Sequence, residues 1–214
     1  LEERRNPVSY ICMLANQRGI AAAGDSRLTF TPIPIHLDRS QKVFTAPEQH
    51  LIWACCGLTV WGGVNYVNLT DRIMRRRQWT LSKKLATVCR RVAPALRMQH
   101  RIQRGPALFT LLVGVAEPKG VQLISLDLVN GEPTLGRWPA PAMVEAGWKR
   151  ELRPPMLSPS AFREESLEEL AQRARQRVQW AVARDRELSR KKPAHRQTVG
   201  GPVKWAVLGR PEEL

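Results

Sequence analysis

Gly19-Ile20-Ala21-Ala22-Ala23-Gly24-Asp25-Ser26-Arg27 is the stretch on which the reading of this 214-residue chain turns. Ile20 to Ala23 are apolar without interruption, and such a run lies in a sheet only if both faces are covered, so the stretch predicts a central buried strand. Asp25 and Arg27 then emerge together where the strand stops. Lys42 arrives on a second short strand, Lys42 to Phe44. An acid at a strand end beside that lysine predicts an ion pair that fixes the lysine, an arrangement suited to tuning a nearby nucleophile. The same three residues also read as ordinary turn chemistry, with Asp25 and Ser26 capping backbone donors.

Outward from this stretch, Leu58 to Gln78 has roughly helical spacing and ends near Arg75-Arg76-Arg77. Thr80 predicts the N-cap of a second helix running to about His100, with Pro94 expected to kink it or mark its last turns. Strands are predicted at Ala107 to Ala116 and Val121 to Leu128, and Asn130-Gly131 signals a hairpin into a third strand at Pro133 to Gly136. The proline-rich stretch from Arg137 to Phe162 reads as irregular. Ser166 opens the longest helix, acidic in its first turn and basic toward its end, and Val203 to Leu208 is the last strand.

Composition narrows the class. The length suits one well-covered domain, and no boundary is visible. No apolar run approaches the roughly 20 residues of a membrane span, and no charged start leads into an apolar signal core, so a cytoplasmic chain is expected. Cys12, Cys55, Cys56 and Cys89 have no metal-ligand spacing, and two of them are adjacent. They read as reduced core thiols. His36, His50, His100 and His195 are scattered, so neither zinc nor another cofactor is expected. A net charge of +15 raises the question of nucleic acid, with Arg75-Arg76-Arg77 and Arg190-Lys191-Lys192 as its clusters. Arginine supplies 26 of the 34 basic residues, which fits an arginine-biased composition equally well, and neither cluster is interleaved with aromatics. An acidic partner subunit would use the same charge.

Taken in order, Gly19 to Arg27, Lys42-Val43, Gly57, Arg184-Asp185 and Val199-Gly200-Gly201-Pro202-Val203 resemble the frame of a proteasome β-type subunit and its bacterial relatives, the N-terminal-nucleophile hydrolases, over most of the chain. In that family a threonine opens the first strand sixteen residues before the Asp-Ser-Arg, and that count lands here on Ser9. The resemblance implies an α+β fold, a four-layer αββα sandwich in a single domain, with residues 1–8 as a propeptide or N-terminal extension. It implies a homo-oligomeric ring, with room for an ATPase or other regulatory partner, and a threonine/serine-type endopeptidase acting on peptides. Ser9 would be the nucleophile and its own freed α-amine the general base. Lys42 would lower the effective pKa of that nucleophile, Asp25 would position Lys42, and Asp185 would orient the terminal amine. Arg27 would brace the Asp25 loop, Gly57 would form the turn into the first helix, and Gly200-Gly201 would close the site.

The chain departs from the family at three places. Pro7-Val8 stand where the family has a glycine before the nucleophile, and the glycine- and serine-rich loop before the third helix is matched to the bulky Leu135 to Pro141. The accessory serine falls at Val199, leaving Thr198 or Ser189 as substitutes. Two further readings stand beside the hydrolase: a structural subunit without activity, and a basic nucleic-acid-binding module.

Overall fold

The computed structural model of the chain describes residues 9–30, 35–37, 40–147, 152–191 and 199–211. Strands β1 (Tyr10–Asn16) and β2 (Gly19–Gly24) form an antiparallel hairpin whose strand residues are all buried. Their apolar runs are unbroken because each face has its own cover. Ile11, Met13 and Ala15 point to a second sheet, whereas Tyr10, Cys12 and Leu14 point to a helix. With β12 (Ala142–Gly147) and β13 (Lys204–Gly209) they make a four-stranded sheet in the order β12-β1-β2-β13.

The second sheet has five strands in the order β11 (Glu132–Pro139), β10 (Gly120–Val129), β9 (Leu108–Glu117), β6 (Leu51–Gly57) and β5 (Val43–Ala46), all antiparallel. Ile52, Ala54, Leu112 and Leu123 from this sheet meet Ile11, Met13 and Ile20 from the other across a buried apolar layer. Two short ribbons, β3 (Leu28–Phe30) with β4 (Ile35–Leu37) and β7 (Val60–Trp61) with β8 (Val64–Asn65), stand outside both sheets.

Helices α1 (Tyr66–Met74) and α2 (Leu81–Gln103) cover the outer face of the five-stranded sheet through Trp53, Val88, Leu96 and Phe109. Asn65 caps α1 by accepting from the Asn68 amide, and Thr80 caps α2 by accepting from the Lys83 amide. Helix α3 (Leu167–Lys191) lies on the four-stranded sheet with Leu170, Ala174, Val178 and Ala181 as its buried stripe. It starts at a reciprocal cap: the Ser166 amide donates to Glu169 Oε2 at 2.7 Å and the Glu169 amide donates to Ser166 Oγ at 3.3 Å. Glu168 and Glu169 in its first turn and Arg190 and Lys191 in its last complement the helix dipole.

Several expectations need correcting. The predicted helix from Leu58 to Gln78 is shortened because Gly62-Gly63 turn the chain between β7 and β8 before α1 begins. Helix α2 runs past Pro94 to Gln103, close to the predicted end at about His100; Pro94 lies on the exposed side, so its missing N–H loses one bond and its ring disturbs no packing. The stretch from Arg137 onward is not all irregular, since β11 extends to Pro139 and β12 buries Ala142 and Ala146 between the sheets. The expected four-layer αββα sandwich is corrected as well. Two antiparallel sheets dominate, and the three α-helices among the described residues are unevenly shared, two on one sheet and α3 by itself on the other.

Candidate active site

The site lies at one end of β1, where Ser9, Asp25 and Lys42 converge from three segments. Ser9 immediately precedes β1, Asp25 follows β2, and Lys42 precedes β5. Because β1 and β2 pair antiparallel, the start of one and the end of the other fall side by side. The Asp25 amide donates to Tyr10 O at 3.1 Å and the Tyr10 amide donates to Asp25 Oδ1 at 2.8 Å. The Cys55 amide of β6 donates to Lys42 O at 3.0 Å, which anchors the lysine's backbone to the second sheet.

From there the Lys42 side chain crosses between the sheets. Its Nζ donates to Ser9 Oγ at 2.6 Å, to Asp25 Oδ1 at 3.1 Å and to Arg27 O at 2.5 Å. Those three acceptors match the three donors of an ammonium group. Ser9 is 5 % exposed and Asp25 and Lys42 are 0 % exposed, so the group is shielded from bulk water. Burial pushes the Asp25 carboxyl above the usual carboxylate range, against the pull of Lys42 and of the Tyr10 and Gly200 amides.

A second ring of contacts supports Asp25. The Arg27 amide donates to Asp25 Oδ2 at 3.2 Å and the Gly200 amide to the same oxygen at 3.3 Å, while the Ser26 amide donates to Gly200 O at 3.2 Å. Arg27 lies against Gly200 so closely that a Cβ there would come within 2.6 Å of the guanidinium carbon. Asp185, fully buried on α3, joins this network from behind, with its Oδ2 accepting from the Val199 amide at 2.7 Å. Asp185 therefore holds the loop leading into β13, and that loop holds Asp25. Ser189 donates its hydroxyl to Asp185 O at 2.8 Å. Thr198, like residues 1–8, lies outside the described residues.

A cavity of about 440 Å³ opens beside Ser9, with Cys56, Gly57, Gln99, Asp127 and Gly147 in its wall. Gly57 adopts φ +96°, and a Cβ there would stand 2.3 Å from Leu108 O. Only glycine fits this position without moving backbone. The Leu58 amide donates to Leu108 O at 2.7 Å. Alternation along an antiparallel ladder then turns the Gly57 amide to the other edge of β6, the edge on which the Cys55 amide meets Lys42. Gly57→Ala is expected to lower unfolding stability by at least about 2 kcal/mol, read from urea denaturation. A wild-type midpoint would show that the strand relaxes freely there.

Gly147, Gln99 and Asp127 were not found by sequence reasoning. The glycine-rich loop was matched to Leu135 to Pro141, but those residues belong to β11 and the link beyond it. The β1–β12 register instead sets Gly147 opposite Tyr10, where its Cβ position is 3.2 Å from Ser9 O. The sequence signal available was the glycine ending an apolar run, which carries no register by itself. Gln99 and Asp127 had no local signal at all. Cys56 shares the cavity wall, but burial pushes its thiol up to about 12, which leaves it protonated near neutrality and a poor nucleophile.

Of the basic clusters, Arg75-Arg76-Arg77 lies outside the cavity wall and has internal partners, and in the second Lys191 pairs with Glu187 at 2.6 Å while Lys192 lies outside the described residues. Arg75 pairs with Asp71 at 3.0 Å and lies over the Trp53 ring, Arg76 lies over Trp79, and Arg77 reaches Glu48 at 3.6 Å. Among the described residues no group of three or more His, Cys, Asp or Glu side chains could hold a metal ion, and no helix is long and apolar enough to cross a membrane.

No family model matches the chain, and no curated protein matches it. Solved structures do. The chain is similar to Anbu, an ancestral beta-subunit, from Yersinia bercovieri, with a TM-score of 0.53 and 14 % identity over 94 % of this chain and 81 % of that one. It is also similar to a Gly-1 mutant of Anbu from Hyphomicrobium sp. strain MC1, with a TM-score of 0.50 and 14 % identity over 94 % of this chain and 82 % of that one. The resemblance to a proteasome β-type subunit is corrected accordingly: these neighbours are proteasome-like but distinct, and at this identity what the chain shares with them is the fold.

Proposed function

We propose that the chain is a proteasome-like hydrolase of peptide bonds that uses Ser9 as an N-terminal nucleophile once residues 1–8 are removed. The observation that carries this reading is the buried ammonium of Lys42 at 2.6 Å from Ser9 Oγ, fixed by Asp25 and opening on a cavity. A cation at that distance favours the alkoxide that forms as the hydroxyl proton leaves. The freed α-amine of Ser9, ordinarily near pKa 7.7 to 8.0, is matched to accept that proton near neutrality.

In the first step Ser9 Oγ bonds to the carbonyl carbon and its proton passes to the α-amine. The amine then gives the proton to the departing nitrogen as the C–N bond breaks. Water repeats the sequence on the acyl-enzyme and restores Ser9. The Gly57 amide, directed toward this edge of β6, is the donor best placed to meet the developing oxyanion. Asp185 contributes by holding the Val199 and Gly200 loop beneath Asp25.

A second reading, a structural subunit that keeps Asp25 and Lys42 as a buried ion pair, is favoured by one feature. Val8 precedes Ser9 where self-cleavage is best served by an unhindered residue. Intact mass and N-terminal sequencing after prolonged incubation at neutral pH separate the two. A chain beginning at Ser9 supports the hydrolase, and retention of the residues before Ser9 supports the structural subunit.

A further inference from the structure

The cavity beside Ser9 carries three ionisable side chains besides the thiol of Cys56: Asp127, Glu145 and Arg153. Two of them are already accounted for. Glu145 is bonded to the guanidinium of Arg177, which is 6 % exposed and further held by the Pro155 and Pro154 carbonyls. Arg153 is exposed, so its charge is screened by solvent and salt.

Asp127 differs from both. The Thr110 hydroxyl donates to its Oδ1 at 2.6 Å and the Ser125 hydroxyl donates to its Oδ2 at 2.9 Å, so the carboxylate is held in one orientation. Among the described residues no cation pairs with it, in a chain with 34 basic residues.

A second, independent observation lies on the same wall. Gln99 is 3 % exposed, its Nε2 donates to Gln103 Oε1 at 3.1 Å, and its own Oε1 has no partner among the described residues. A buried carbonyl oxygen left without a donor is costly, and such groups are normally satisfied. Both the carboxylate without a cation and the amide oxygen without a donor are acceptors. Leu58, Leu108, Leu128 and Val129 supply apolar lining to the same cavity. An apolar channel with fixed acceptors is complementary to a methylene stem that ends in several donors and a positive charge. The volume of about 440 Å³ lies within the range of ligand pockets, roughly 300 to 1,000 Å³.

We infer that this cavity is a recognition pocket for a basic side chain, lysine or arginine, of a peptide held at Ser9, with Asp127 meeting the cationic head and Gln99 accepting from it. As a statement about substrate choice this rests on the hydrolase reading; as a statement about binding it stands on the pocket alone.

The test is calorimetric titration of the full chain with Nα-acetyl-arginine amide and with Nα-acetyl-leucine amide, repeated on Asp127→Asn and on Ser9→Ala. The arginine amide is expected to bind about tenfold or more tightly than the leucine amide, with the preference lost in Asp127→Asn and kept in Ser9→Ala. Equal binding of the two amides, or a preference that survives in Asp127→Asn, overturns the assignment. The comparison of the two amides on the unaltered chain needs no variant, so a misfolded Asp127→Asn leaves the decision intact. Because binding is read without turnover, a preference for arginine in a chain that hydrolyses nothing defeats the hydrolase and leaves the pocket standing. Hydrolysis without any preference does the reverse.

Discussion

Ser9→Ala is expected to reduce peptide hydrolysis by about 10⁴-fold or more, since among the described residues Ser9 carries the one hydroxyl bonded to Lys42 Nζ. The fold should survive. Lys42 keeps Asp25 and the Arg27 carbonyl as acceptors in that variant, so the lost hydroxyl should lower stability by only about 1 kcal/mol. The measurement is turnover of a fluorogenic peptide by chain that begins at position 9, compared with chain carrying one extra residue before it. The extra residue should be as damaging as the alanine, because it converts the basic amine into an amide. Ser9→Thr should keep activity. If Ser9→Ala turned over peptide at the unaltered rate, the nucleophile would lie elsewhere, and the buried, protonated Cys56 would be a poor replacement.

Lys42→Ala is expected to be severe for both activity and stability, and a second substitution should separate the two losses. Removing one partner of a buried ion pair leaves an uncompensated charge, which typically costs about 3 to 5 kcal/mol. Asp25 can escape part of that cost by taking up a proton, toward which burial already pushes it. Lys42→Met combined with Asp25→Asn removes both charges, keeps the volumes near native and should recover part of the stability, since an asparagine oxygen still accepts from the backbone amides on one side of Asp25. Activity should stay low in both, by about 10³-fold or more, because neither holds a cation at Ser9 Oγ. Urea denaturation and the same fluorogenic assay read the two properties. Recovery of turnover in the double variant would remove Lys42 from the mechanism and leave it a structural residue only.

Some of this arrangement was legible in the residues. The unbroken small-residue run Ile20 to Ala23 announced a strand covered on both faces, and an acid at its end beside a lysine announced an ion pair. Those signals are local: they depend on side-chain size, on the alternation of a strand and on where a strand stops. The caps of α2 and α3 were legible for the same reason, because Thr80, Ser166 and Glu169 act within one turn of helix. Where sequence reasoning failed, the missing quantity was long-range pairing. The residues beyond Arg137 read as irregular because prolines interrupt them, yet Ala142 and Ala146 are strand residues whose burial comes from β1, more than 120 positions away. Without that partner nothing in Ala142 to Gly147 distinguishes an edge strand from a loop. The same gap hid Gly147 from the site.

By itself, then, the sequence determined the local pieces: which runs must be covered on both faces, where helices start, and which acid and lysine end up paired at the mouth of a strand. Those follow from periodicity, capping and the cost of burying an unpaired charge, all of which act over a few residues or through a single obligatory partner. Only the tertiary structure decided that Gly147 backs onto Ser9, that Asp185 reaches the site through Val199 and Gly200, and that Asp127 and Gln99 share a wall with the serine. Those relations depend on strand register and on how two sheets and α3 close around one another. Register is selected by the whole buried surface at once, because a slip of one residue turns every side chain of a strand to the opposite face.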